Sequence, residues 1–534
     1  MGDAAHPMTA VLTTDTLIIG AGSAGCVLAN RLSGDPMHQV MLLEAGGNDR
    51  WHWIHIPVGY LYTMGNPKTD WCYRTTPQPG LNGRSLAYPR GRVLGGSSSI
   101  NGMIYMRGQS ADYNAWGPGW SWDEVLPYFK RSERYHGGAD EMHADDGELH
   151  VQTQRLQWPI LERFKAVCED SGFTDRPDFN RGDNAGVGYF EVNQKRGVRW
   201  SSASAFLKPI RHRANLTVHT ETLTERLLFK AATCYGAVCS IRGVQTEIHA
   251  GRVIIAAGAI GTPALLERSG IGRPDILTDH GIEVHHELPG VGENLQDHLQ
   301  IRLQYRLDSG DTLNTRARSW WGRVKMGLEY ALNRSGPLSM APSQLGAFFK
   351  SAEHIERANL EFHIQPMSAD TLGTNLHPFP GMTASVCNLR PTSRGSTHIQ
   401  GPQIGEAPRI DPNYLNSEDD RQVAIDAVRR TRALMDHPSL RSFGPEEYRP
   451  GRSKQTDAEL IQAIGDVAAT IFHPVGTAKM GDASDPQAVV TPQLSVHGLE
   501  HLYIADASVM PQITSGNTHA PTVMIAERLA DWLH

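Results

Sequence analysis

The sequence predicts an α/β fold in two parts. One is a Rossmann-like nucleotide-binding domain assembled from separated stretches of chain; the other is an inserted α+β domain carrying an antiparallel sheet. Three observations predict this. A glycine triplet joins an apolar run to a helix-like segment near the N-terminus. The strand–glycine–helix pattern returns at 252–272 and again at 502–533. Between 300 and 460 that pattern is missing, and alternating strands mix with helices.

The first element is the stretch 15–47. Leu17, Ile18 and Ile19 run into Gly20-x-Gly22-x-x-Gly25, a helical segment follows, and a second apolar run, Val40 to Leu43, delivers Glu44. Gly20 permits a tight strand-to-helix turn, Gly22 lets backbone approach a pyrophosphate, and Gly25 allows close helix–strand packing. The helix N-terminus offers unpaired N–H groups and a positive dipole end. Glu44 follows Gly25 by 19 positions, where an acid can bind ribose hydroxyls. The stretch predicts a dinucleotide site and leaves NAD and FAD equally open.

Along the chain, 51–71 is aromatic-rich and reads as a helix-poor surface loop. The cluster 91–103 (GRVLGGSSSINGM) offers backbone N–H groups free of bulky side chains, the composition of an anion-cradling nest. Helices are predicted at 122–135 and 157–171, and an antiparallel meander at 215–250. In the inserted part, strands are predicted at 360–367 and 397–400, with helices at 317–332 and 418–435. The last segment, 502–533, is again strand, turn and helix, with Pro521 placed at the helix start.

Length and composition bound the function. At 534 residues the chain exceeds what one core usually serves. A net charge of −7 argues against nucleic acid as partner. The six cysteines show no CxxC spacing, so neither a disulfide framework nor a metal site is expected. The first fifteen residues lack a basic and apolar leader, and His6 breaks the myristoylation pattern after Gly2. No apolar run reaches the ~20 residues of a membrane span. The expectation is a cytoplasmic protein, with peripheral membrane contact and oligomeric state left open.

Four blocks now carry a family resemblance: GAGSAG with Glu44, GRVLGGSSSINGM at 91–103, GAIGTPALLERSGIG at 258–272, and HPVGTAKMG at 473–481 with Asp506 to Pro521. The chain resembles the glucose–methanol–choline (GMC) flavin oxidoreductases over nearly its whole length, nearest the bacterial alcohol dehydrogenases related to choline dehydrogenase. The resemblance implies FAD and oxidation of an alcohol by hydride transfer to the flavin. The FAD-binding domain would comprise 1–155, 196–300 and 465–534, and the substrate-binding domain 156–195 and 301–464.

Carried over by position, Gly20, Gly22, Ser23, Ala24 and Glu44 would hold the ADP half. Arg92, Gly95, Ser98, Asn101, Gly102 and Met103 would line the pyrophosphate and flavin. Thr224 stands where the family usually places a valine beside adenine, a contact made through backbone. Asp506, Ala507, Asn517, Thr518 and Pro521 would complete the site. Members that attach FAD covalently carry a histidine where this chain has Ile100, so non-covalent FAD is expected.

Histidine suits the base that alcohol oxidation needs, because its pKa lies near neutrality. The resemblance places that base at His473, with Asn517 as its hydrogen-bonding partner. His519 reads as structural or peripheral, and Asp297-His298 as a lid or domain junction rather than a catalytic dyad. His363 and Gln365 alternate on a strand, where one could face substrate or both could pack. Trp320, Trp321, Phe348, Phe349 and Glu361 are candidates for a trimethylammonium cage. The leading expectation is a primary-alcohol dehydrogenase passing electrons to a quinone or other acceptor. The alternatives are an O2-using oxidase, a hydroxynitrile lyase-like flavoprotein and a non-catalytic flavin-binding module.

Overall fold

The computed structural model describes residues 10–370 and 375–534. The N-terminal readings that involve Gly2 and His6 lie outside them. The fold is α/β, built on two seven-stranded sheets, each with its own apolar core.

The first sheet has a parallel centre. Strand Ala10–Ile19 pairs in parallel with Val40–Leu43 on one side and Val244–Ile255 on the other. Burial explains its composition: Leu17, Ile18, Val40, Leu42, Val253 and Ile254 are all at most 2% exposed, as strands covered on both faces require. Helix Ser23–Leu32 packs on this centre together with the terminal helix His519–Leu533. The expected meander at 215–250 divides in two. Leu216–His219 joins the parallel edge, while Thr222–Lys230, Thr233–Ile241 and Val244–Ile255 form the antiparallel ribbon. Strand Leu502–Ile504 returns to pair with Val253–Ile255, so both chain ends build one sheet.

The second sheet is antiparallel, with Leu299–Arg306 pairing Gly381–Asn388, followed by Leu360–Gln365, Leu345–Phe349 and Gly186–Tyr189. Its period-two alternation sorts the side chains cleanly. Ile301, Leu303, Phe362, Ile364, Ala384 and Val386 face a core shared with helices Pro159–Asp170 and Glu418–Met435. The opposite face is polar yet buried. Cross-strand rows run Gln300–Cys387–Glu361, then Arg302–Ser385–His363, then Gln304–Thr383–Gln365. Segment Ser396–His398 belongs instead to a two-stranded ribbon with Arg409–Asp411.

Several predicted bounds shift. Residues 51–71 contain two single-turn helices, His52–His55 and Tyr60–Thr63, joined by a 3₁₀ turn. The helix expected at 317–332 is split into Leu313–Ala317 and Trp320–Asn333. The final helix begins at His519, two residues before Pro521.

One buried ion pair ties Arg107 to the short strand Glu133–Tyr135. Arg107 and Glu133, both fully buried, meet at 2.8 Å, and Glu133 also bonds His143 at 2.9 Å. Breaking such a pair leaves an uncompensated charge, at about 3–5 kcal/mol. Glu133→Gln is expected to lower the unfolding free energy by that amount in a urea titration; a change below about 1 kcal/mol would contradict this role.

Candidate functional site

A cavity of about 300 Å³ runs from the glycine triplet to the polar face of the second sheet. At the end nearest the glycine triplet, Gly20, Gly22, Ser23, Ala24 and Glu44 form the wall. Gly20 sits at φ +104°, and a Cβ on Gly25 would lie 1.9 Å from the Gly20 carbonyl oxygen. Only glycine allows this turn. Gly22 caps helix Ser23–Leu32 with no side-chain acceptor, so the first-turn N–H groups keep no intrahelical partner and can serve an anion. Glu44 accepts the N–H groups of Ala21 at 3.0 Å and Gly46 at 2.9 Å. Burial still pushes its carboxyl up to about 7. Thr224 lines the same end, and its buried hydroxyl lacks a partner.

In the middle, Ser98, Asn101, Gly102 and Met103 line the cavity, and Gly96 approaches Gly22 so closely that a Cβ would sit 2.7 Å from the Gly22 Cα. Asp506 is held by Gly258 N–H at 2.8 Å and the Thr262 hydroxyl at 2.6 Å, which ties the C-terminal segment to helix Gly258–Arg268. Ala507, Asn517 and Thr518 also reach the wall. Three predicted residues lie outside it. Arg92 turns away and stacks on Trp71, with 4.8 Å between its guanidinium carbon and the ring centre. Arg90 faces the cavity in its place. Gly95 sits behind the wall, its N–H donated to Ala21 at 2.8 Å. Pro521 is the third residue of the final helix, within its first turn, and that helix instead presents Thr518 and His519 at its start.

At the far end, His473 meets Asn517, with the amide Nδ2 3.0 Å from His473 Nε2. Asp297 holds the backbone of this turn. Its carboxylate accepts His473 N–H at 2.8 Å, Thr470 Oγ1 at 2.5 Å and Tyr88 OH at 3.1 Å, and also Tyr414 OH. His298 stands behind the ring, with Nδ1 3.1 Å from His473 Nδ1 and Nε2 3.1 Å from the Leu389 carbonyl. A carbonyl only accepts, so His298 carries its proton on Nε2. Burial pushes the pKa of both rings down, that of His473 well below the ordinary histidine value, with His298, His363 and Arg90 adding to the effect. Both rings are therefore neutral, His298 Nδ1 accepts, and His473 Nδ1–H donates. That leaves the lone pair of His473 on Nε2, facing Asn517. Asp297 and His298 thus support one histidine and do not act as a dyad with each other. The sequence separation of 175 residues between His298 and His473 hides this pairing from local reading.

The wall near His473 includes Ile104, Gln300, Ser343, His363, Gln365 and Phe472. Both His363 and Gln365 face the cavity, and Gln300 and Ser343 join them from segments where the sequence showed no signal. His519 also lines the wall; its Nε2 lies 3.1 Å from Ser202 Oγ, and burial, with Arg199 nearby, pushes it down to about 4. It is a wall residue rather than a peripheral one. The expected cage is not assembled. Trp320 and Trp321 stack on each other at the surface, 61% and 66% exposed, while Phe348 and Phe349 pack in the cores on opposite faces of their strand. Glu361 lies one row behind His363, and its ligand atom falls within 4.8 Å of those of His363 and Cys387.

Comparison with known proteins gives this geometry a family. Models described as GMC oxidoreductase match residues 14–300 and 391–526. The chain is 40% identical to an alcohol dehydrogenase (acceptor) of Pseudomonas putida over 97% of its own length and 95% of that protein. It is 38% identical to the mitochondrial choline dehydrogenase of Mus musculus, covering 96% and 88%. Among solved structures, pyridoxine 4-oxidase from Mesorbium loti superposes with a TM-score of 0.88 at 31% identity, covering 98% and 99%. With both family models matched in order along one cavity, this chain belongs to the GMC oxidoreductases and has their FAD flavoprotein fold.

Proposed function

We propose that the protein oxidises a primary alcohol to an aldehyde, with non-covalently bound FAD as hydride acceptor and a quinone or other carrier as the final acceptor. One observation carries this reading: His473 and Asn517 meet on the cavity wall, with His473 Nε2 3.0 Å from the amide Nδ2. The residues present fit FAD. Two helix N-termini without side-chain caps, at Gly22 and Thr518, open on one cavity, and the Thr224 hydroxyl lacks a protein partner. Bound there, FAD would supply the hydride acceptor.

The remaining work falls to this chain. An alcohol hydroxyl set against both His473 and Asn517, replacing the 3.0 Å hydrogen bond they make with each other, would donate its proton to His473 Nε2 as the C–H bond weakens. Asn517 Nδ2–H steadies the oxygen without competing for that proton. His473 holds the proton on Nε2 while Nδ1–H remains bonded to His298. The polar wall of Gln300, Ser343, His363 and Gln365 would bind further polar groups on the substrate. The same reading divides the chain into a cofactor domain (1–155, 196–300 and 465–534) and a substrate domain (156–195 and 301–464).

Anaerobic mixing with a panel of alcohols tests the reading, with bleaching of the flavin absorbance as the expected signal. A panel that leaves the flavin oxidised would overturn it. An oxidase reading draws on the likeness to pyridoxine 4-oxidase; peroxide release matching substrate loss under air would favour it over a carrier-linked dehydrogenase.

Ile100 lines the cavity and has no nucleophilic nitrogen to attach a flavin. Acid precipitation is therefore expected to release all the yellow colour into the supernatant. Flavin retained in the pellet would contradict non-covalent binding.

A further inference from the structure

The helix Trp320–Asn333 carries two apolar faces, and packing within the protein accounts for only one of them. Met326 and Tyr330 are buried against the protein, and the Tyr330 hydroxyl donates to the Gly197 carbonyl at 3.0 Å. On the other side Trp320, Trp321, Val324, Leu328 and Leu332 are exposed, Leu332 by 79%. At about 100° per residue these five cover an arc of roughly 120°, centred almost opposite Met326 and Tyr330. A helix apolar on both faces does not belong on a protein surface facing only water.

Charge identifies what covers the outer face. Arg323 and Lys325 flank the arc on either side, and Arg318 precedes the helix; all three lie on the solvent side of the chain. Arg155 reaches the other end, bonding the Asn333 carbonyl at 3.2 Å. These cations gather on a chain whose net charge is −7. A second copy seated here about a two-fold axis would set the same cations against one another. An anionic lipid surface instead complements them, and paired tryptophans with leucines match the headgroup–acyl boundary.

We propose that this helix lies in the plane of an anionic membrane and seats the protein on it peripherally. From Asn333 the chain runs directly to Pro342 and Ser343, which wall the cavity. The mouth of the site would thereby be held near the bilayer, where an apolar acceptor or substrate dissolves. The assignment needs no turnover for its test, so it stands or falls separately from the proposed reaction.

The test is flotation of the flavin-loaded full chain with vesicles of phosphatidylethanolamine and phosphatidylglycerol, against vesicles of phosphatidylcholine alone. Two variants accompany it: Trp320→Ser/Trp321→Ser/Leu328→Ser and Arg318→Glu/Arg323→Glu/Lys325→Glu. Flavin content and dye-linked turnover should be unchanged in both, since none of these residues touches the cavity. Wild type is expected to float with the anionic vesicles, less so as salt rises. The charge variant should partition roughly 100-fold more weakly, and the apolar variant should also lose binding. Three results would overturn the proposal: a wild type that stays unbound, variants that both float as wild type does, or a dimer that depends on this stripe without any vesicle binding.

Discussion

His473→Ala is expected to lower turnover by about 10²–10⁴-fold while leaving the flavin bound, because a positioned general base contributes that much to a proton transfer. The substitution removes the Nε2 lone pair proposed to take the proton of the substrate hydroxyl. It leaves Asn517 in place, since that amide is carried by the segment before the final helix. Flavin content should persist, because the groups at the nucleotide end lie on other segments. Added imidazole should restore part of the rate by filling the void with the same chemistry. Steady-state kinetics with flavin quantified per chain decides it, and near-normal turnover would remove His473 from the reaction.

Gly25→Ala should have a comparable effect by a different route. The new Cβ would fall 1.9 Å from the Gly20 carbonyl oxygen, a backbone atom that cannot swing aside. Helix Ser23–Leu32 would have to move off the strand, carrying Gly22 and the first-turn N–H groups out of register with the cavity. The expected product is a chain without flavin, unfolding well below wild type. Gly47→Ala is the control: a Cβ there would meet nothing within 4 Å, and its effect should stay within about 0.5 kcal/mol. Flavin retained at full occupancy in Gly25→Ala would contradict the close packing.

What the sequence made legible was local. The triplet, Glu44 and the strand–helix returns depend on residues within a few positions of one another, and all converge on one cavity. Facing was not legible where the chain leaves regular strand geometry. Arg90 and Arg92 both lie in the extended run before Gly95, yet Arg90 faces the cavity and Arg92 is drawn off it by the Trp71 ring. Pro521 suggested a helix start, but a proline is also tolerated slightly further into the first turn, where its missing N–H is still unneeded. The helical turns at 52–63 are four residues long, too short to show a period.

Long-range pairings were illegible. Asp297 supports the His473 backbone across 176 residues, and His298 sets its tautomer, yet their neighbours in sequence gave only the look of a junction. The polar face of the second sheet was equally hidden. Its strands alternate as any half-buried strand does, and only cross-strand register shows that Gln300, His363 and Gln365 meet over the site. Trp320 and Trp321 looked like cage residues because aromatic composition carries no information about side.

The most direct test of His473 as a neutral base is the anaerobic rate of flavin reduction by saturating alcohol, followed from about pH 5 to about pH 9. A histidine held neutral by burial, with its pKa pushed down, is already a competent base at neutral pH. The expected rate is level across neutrality and falls only on the acid side, below the ordinary histidine pKa of about 6.5. A rate that climbs through an inflection at or above about pH 7 would mean that the base is protonated at neutrality, and would contradict a base held neutral by its burial.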